Sequence, residues 1–139
     1  MEPRKILIID DDDDARLLLS LRLKAASYAT AVAADAREAI TMARRVQPAA
    51  ILLDLGLPDG NGFLVLDRLK RIPALAHIPI IIVSAEEPQE VEGIALARGA
   101  LAFLHKPVEQ TALLAAVQRA CEPCGDVASL TQLGPALSV

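Results

Sequence analysis

Three aspartates, a serine and a lysine stand where short apolar runs of the chain end. Ile6-Leu7-Ile8-Ile9 runs into Asp10-Asp11, Ala49 to Leu53 into Asp54, and Ile78 to Val83 into Ser84, while Leu101 to Leu104 is followed closely by Lys106. Buried strands have no structural reason to end in polar residues. In an open parallel α/β sheet, reactive groups gather outside the carboxyl ends of the strands. Carboxylates converging there repel each other and resist burial. A hard divalent cation resolves the conflict, and Mg²⁺ suits it best because it takes oxygen ligands, keeps several waters and bridges to phosphate oxygens; Mn²⁺ can take the same place. In such a site one carboxylate can attack phosphorus to give an aspartyl phosphate. Cation and lysine ammonium then neutralise charge on the equatorial phosphoryl oxygens, and the Ser84 hydroxyl can donate a hydrogen bond to one of them.

The elements that must position these groups alternate strictly. Ile6 to Ile9 reads as a strand buried on both faces. From Asp12 to about Ala26, Arg16, Ser20, Lys24 and Ser27 fall in one polar stripe with Leu17, Leu18, Leu21 and Ala25 opposite, the pattern of an amphipathic helix. Tyr28 to Ala33 is a weaker, more polar strand suited to a sheet edge. Asp35 with Glu38 forms a capping box for a helix running to about Gln47. Ala49 to Leu53 is the second fully apolar strand, and Leu57-Pro58-Asp59-Gly60-Asn61-Gly62 is a dense turn cluster before a helix from Phe63 to Ile72. Ile78 to Val83 is a further buried strand with a proline near its start, where a missing N–H does least harm. A helix within 89–98 stops at Gly99 in the role of a left-handed C-cap. Leu101 to Leu104 is a short strand, and the last helix spans Val108 to Cys121. Five strands and five helices with short connections imply a parallel sheet with right-handed crossovers. The predicted division is one domain over 1–122 and a tail or linker over 123–139, where Val127, Leu130 and Leu133 hint at one weak helical face.

Composition agrees. The chain has 139 residues, 53% of them hydrophobic, and only 2% aromatic, so its core is built from small aliphatic side chains. The net charge of −4 argues against a nucleic-acid groove of its own. No apolar run is long enough to cross a bilayer and the N-terminus does not read as a signal peptide, so the expected location is the cytoplasm. Cys121 and Cys124 lack the second ligand pair of a zinc site, and they close a helix rather than open one as a redox pair does, so they read as reduced thiols.

The segments Ile6 to Asp11, Asp54 to Gly62, Val83-Ser84-Ala85 and Phe103-Leu104-His105-Lys106-Pro107 together resemble the signature blocks of response-regulator receiver domains of two-component signalling, in the family's order and spacing over residues 4–121. The resemblance implies a doubly wound, flavodoxin-like (βα)5 fold with strand order 2-1-3-4-5. It implies that Asp54 is the phosphoacceptor, and that Asp10, Asp11, Asp54 and the Gly56 backbone carbonyl hold Mg²⁺, with Asp10 acting through water. It implies that Lys106 contacts the phosphoryl group, that Lys106-Pro107 is cis, and that Ser84 and Phe103 form a switch pair. Gly56 and Glu86 occupy positions that tune phosphorylation and dephosphorylation rates. The implied partners are a sensor histidine kinase or histidine phosphotransfer protein and a downstream protein target or effector domain. Leu101 and Ala102, apolar where the family often has acidic residues, point to a homodimer through the last helices and strand.

Each residue also has a plainer reading: Asp12, Asp13 and Asp14 as a solvated loop with Asp12 or Asp13 capping the first helix, Lys106 as a surface charge, Ser84 as a strand-end hydroxyl, Phe103 as core. An EF-hand reading of the aspartate run fails because Ala15 and Leu21 stand where Gly and Glu are needed. An aspartyl-phosphate hydrolase would carry a second Asp where this chain has Gly56. The remaining rival is a degenerate receiver that only docks or dimerises, and the set Asp10, Asp11, Asp54, Ser84 and Lys106 argues against it. No DNA-binding, cyclase or kinase segment follows, so a stand-alone receiver and one cut from a longer chain both fit.

Overall fold

The computed structural model describes residues 3–57, 61–85 and 89–122. The expectations for Pro58, Asp59, Gly60, Glu86, Cys124 and the 123–139 tail lie outside those residues.

The described elements run β1 (Lys5–Ile9), α1 (Asp13–Ala25), β2 (Ala29–Ala33), α2 (Ala36–Val46), β3 (Ala50–Asp54), α3 (Asn61–Arg71), β4 (Ile80–Ser84), α4 (Gln89–Ala97), β5 (Ala102–His105) and α5 (Gln110–Cys121). The five strands form one parallel sheet in the order β2-β1-β3-β4-β5. Each strand side chain alternates between two apolar layers. Leu7, Ile9, Ile51, Leu53, Ile80 and Ile82 face a core that includes Ala39, Ala43, Leu66, Leu69 and Ala95. Ile6, Ile8, Leu52, Ile81 and Val83 face the other, with Leu19, Leu23, Leu113 and Val117. Thus α2, α3 and α4 cover one face of the sheet, and α1 and α5 the other. β2 is an edge strand, half-buried along most of its length. Among the described residues no helix is long and apolar enough to cross a membrane.

The helix ends follow the local chemistry. Asp12 caps α1, its carboxylate accepting from the Asp14 N–H at 2.9 Å. Asp35 caps α2 by accepting from Glu38 N–H at 2.8 Å. The Glu38 carboxylate reaches back to the Ala34 N–H at 2.6 Å, one residue before the cap itself. Gln47 closes α2 in a left-handed conformation with φ of 50°. After α4, Gly99 turns the chain at φ of 105°, which a side chain disfavours.

The orientation of α1 differs from the sequence expectation. Leu17, Leu18 and Leu21, the presumed apolar face, are 59%, 51% and 54% exposed, while Leu19, Leu23 and Ser20 are buried. Ser20 is tolerated inside because its hydroxyl pairs with the Thr30 hydroxyl of β2 at 2.7 Å. With leucine at 17, 18, 19, 21 and 23, spacing alone does not select a face; the Ser20–Thr30 pair and the Leu19/Leu23 contact do.

Candidate functional site

The carboxyl ends of β1, β3 and β4 lie side by side, because β3 pairs with both of the others in parallel register. β1 therefore delivers Asp10 and Asp11, and β3 delivers Asp54, to one place. Asp10 and Asp54 are buried at 2% and 8% exposure, whereas Asp11 is exposed. One carboxylate oxygen from each of the three lies within 4.8 Å of the others. Lys106, from the segment after β5, spans the pair: its Nζ is 3.2 Å from Asp10 Oδ2 and 3.5 Å from Asp54 Oδ2. Its own backbone is fixed by an N–H bond to the Ser84 carbonyl at 2.9 Å, and the following Lys106–Pro107 bond is cis.

The electrostatics leave the cluster short of positive charge. Burial drives the Asp54 pKa above the ordinary carboxylate range. The Gly56 N–H bond to Oδ1, at 3.0 Å, pulls the other way, the nearby Asp10 charge adds to the rise, and Lys106 opposes it. Burial pulls the Lys106 pKa down, but Asp54 and Asp10 together outweigh that and raise it. Three carboxylates facing one ammonium would leave two negative charges uncompensated. Oxygen-only donors at this separation fit a hard divalent cation such as Mg²⁺, and nothing in the cluster is soft enough to prefer a thiophilic metal.

Two residues have roles that the sequence reading did not give them. Arg16, placed there in a polar stripe of α1, donates from Nη1 to the Asp10 carbonyl at 2.7 Å and pairs with Asp13. It braces the acidic loop from beneath without touching the Asp10 carboxylate. Its spacing of three from Asp13 on one helix was the available signal. Gly62, read as a turn residue, allows the start of α3 to pack on the residue after Asp54. A Cβ there would fall 2.5 Å from Leu55 Cα and 2.7 Å from the Asp54 carbonyl oxygen, and the Gly62 N–H bonds the Leu55 carbonyl at 2.9 Å. Gly56 is different: a Cβ there would meet Asp54 Oδ1 at 3.5 Å, an ordinary contact.

Ser84 is buried at 1% exposure at the end of β4. Phe103 is half-buried on β5, packs on the core beneath α2, α3 and α4, and lies 5.0 Å, centroid to centroid, from the His105 ring. A hollow of about 240 Å³ opens beside Lys106, lined by Leu18, Leu19 and Arg22 of α1 together with Pro107 and Val108. At the far end of the sheet, Cys121 is a buried thiol whose pKa burial pushes up, with Arg4 opposing, which fits an inert cysteine.

Residues 6–118 match the response regulator receiver domain family. The chain is 36% identical over 114 residues to the response regulator PleD of Caulobacter vibrioides, covering 82% of this chain and 25% of that protein. It is 33% identical over 116 residues to a 14.6 kDa protein in the sodA1 3′ region of Leptolyngbya boryana, covering 84% and 88%. The chain thus spans a quarter of PleD and most of the Leptolyngbya protein. Among solved structures, the chemotaxis response regulator CheY4 of Vibrio cholerae superposes with a TM-score of 0.78 at 30% identity, over 85% of this chain and 98% of that one.

Proposed function

The chain belongs to the response regulator receiver domain family of two-component signalling, and from that premise we propose that Asp54 accepts a phosphoryl group and that the chain transmits the event through its surface. The observation that carries this reading is the buried Asp54 carboxylate at the end of β3, within 4.8 Å of Asp10 and Asp11 oxygens and 3.5 Å from the Lys106 ammonium.

The donor in this reading is a phosphorylated histidine of a sensor kinase or phosphotransfer protein. An Asp54 carboxylate oxygen forms a bond to phosphorus as the bond from phosphorus to the imidazole nitrogen breaks, and the electron pair stays with the imidazole. The Gly56 N–H holds Oδ1 in place and leaves Oδ2 to face Lys106, so the lysine is poised beside the arriving phosphoryl oxygens. Asp10, Asp11, Asp54 and the Gly56 carbonyl would hold Mg²⁺, which when bound offsets the charge on those oxygens. Hydrolysis of the acyl phosphate resets the domain, so the only chemistry is on itself.

Ser84 and Phe103 form the switch in the same reading. The buried hydroxyl moves to a phosphoryl oxygen, and the Phe103 ring, already packed on the core at its half-buried edge, turns into the space released. Exposed Leu18 of α1, which lines the hollow at Lys106 and Pro107, together with Leu17 and Leu21 exposed on the same helix, supplies apolar surface for a protein donor. A homodimer through the last helices and strand belongs to the same reading, with half-buried Leu101 and Ala102 as its apolar contribution.

Acetyl phosphate tests the chemistry without a kinase. Intact-protein mass spectrometry is expected to show a Mg²⁺-dependent gain of one phosphoryl group that hydroxylamine removes. No gain from acetyl phosphate or from phosphorylated kinase would leave a docking module.

A further inference from the structure

Helices α2 and α3 carry a charge opposite to that of the whole chain. They hold Arg37, Arg44, Arg45, Arg68, Lys70 and Arg71 against Glu38 and Asp67, six positive and two negative, in a chain whose net charge is −4. Neither carboxylate is ion-paired to these arginines: Glu38 is turned to the Ala34 N–H, and Asp67 pairs with Arg98 of the segment after α4 at 3.2 Å. Among the described residues no carboxylate comes within ion-pair range of Arg37, Arg44, Arg68 or Arg71. Arginines in the last turn of a helix have a structural reason to be there, since they complement the carbonyl end of the dipole. That accounts for Arg44, Arg45, Arg68 and Arg71. It does not account for Arg37, in the first turn of α2, where the dipole opposes a cation. Nor does it account for a cleft of about 450 Å³ in which Arg37 and Arg68 stand together, with Ala36, Ile40 and Thr41 as its other walls. Two like charges on one cleft cost stability, and among the described residues neither Arg37 nor Arg68 has an ion pair to offset that cost.

We propose that the outer face of α2 and α3 docks an acidic polypeptide segment, whose carboxylates are bound by Arg37 and Arg68 across that cleft. Guanidinium groups match carboxylates with paired hydrogen bonds, which a lysine surface would not do as well. The apolar Ala36 and Ile40 walls and the Thr41 hydroxyl give the backbone and stem of a bound side chain a seat. An eleven-residue helix is about 16 Å long, so the face spans roughly five residues of extended peptide. The chain's overall negative charge favours a short polypeptide over a nucleic acid, whose long charged backbone would meet the aspartates and glutamates elsewhere. The cleft shares no residue with the Asp10, Asp11, Asp54 and Lys106 cluster, and binding there needs no phosphoryl chemistry.

The test is a titration of the ¹⁵N-labelled chain with hexaglutamate, followed by amide NMR at low and physiological salt. Shifts confined to α2 and α3, weaker at higher salt and weakened by about tenfold or more in the double variant Arg37→Glu/Arg68→Glu, support the proposal. Arg37→Gln/Arg68→Gln serves the same purpose if charge reversal unfolds the chain, and acetyl phosphate labelling should be unchanged in either. Absent shifts, shifts that centre on Arg16, Arg22 and Lys106, or shifts that survive both double variants overturn it. A single-stranded oligonucleotide binding this face more tightly than hexaglutamate would overturn the polypeptide assignment.

Discussion

The two ends of the same strands obey different rules. Through their length, β1, β3 and β4 bury only Ile, Leu, Val and Ala, and every one of those side chains meets another aliphatic group. At their carboxyl ends the same strands bury Asp10, Asp54 and Ser84, of which the two carboxylates repel each other and are only partly offset by Lys106. The interior of the sheet is arranged for stability. Its carboxyl edge gives stability away and concentrates negative charge at one place.

Truncation in the interior should show the largest effect. Ile51→Ala, at a fully buried position of β3, is expected to lose about 2–5 kcal/mol in urea unfolding. A loss below about 1 kcal/mol would mean that the sheet interior is less tightly packed than the comparison requires.

Gly62→Ala joins the two regions, because its Cβ would press on the backbone of Asp54 and Leu55. It should cost about 1–3 kcal/mol and slow acetyl phosphate labelling as well. A variant as stable as the parent but equally fast would show that α3 can shift without disturbing Asp54.

Asp54→Asn should move stability the other way. Since burial and Asp10 disfavour the ionised Asp54 carboxylate, the neutral amide is expected to stabilise the Mg²⁺-free chain, on the order of 1 kcal/mol. Mg²⁺ should raise the Tm of the parent and do much less for the variant. A variant less stable than the parent without Mg²⁺ would break the claim that this edge is strained by like charge.

The smallest effect on stability belongs to the exposed face of α1. Leu18→Ser should change unfolding by less than about 0.5 kcal/mol and leave acetyl phosphate labelling intact, yet slow transfer from a phosphorylated kinase or phosphotransfer protein. Equal transfer rates would remove the leucine face from the docking surface.

Much of this was legible in the chain. The four apolar runs and the polar residues that end or follow them showed the central strands and the location of the cluster, because a strand buried on both faces leaves no other pattern, while the edge strand showed only as a weaker, more polar run. Strand order came from family resemblance, since spacing along the chain does not say which strand lies beside which. The burial of Ser20 was hidden because its partner is Thr30, on another element, and five leucines in the seven positions 17–23 mask the face that α1 turns inward. Arg16 was hidden for a related reason: its target is a backbone carbonyl, which leaves no mark in a sequence. Gly62 showed only as a turn residue, although what demands it is the contact with Leu55.

The most direct test of the central claim is to locate the phosphoryl group. After labelling with acetyl phosphate and Mg²⁺, borohydride reduction converts an aspartyl phosphate to homoserine, and peptide mass spectrometry reads its position. Homoserine at residue 54, absent from Asp54→Asn, is the predicted result. Homoserine at residue 10 or 11 in the parent chain, or none anywhere despite a measured phosphoryl gain, would contradict it.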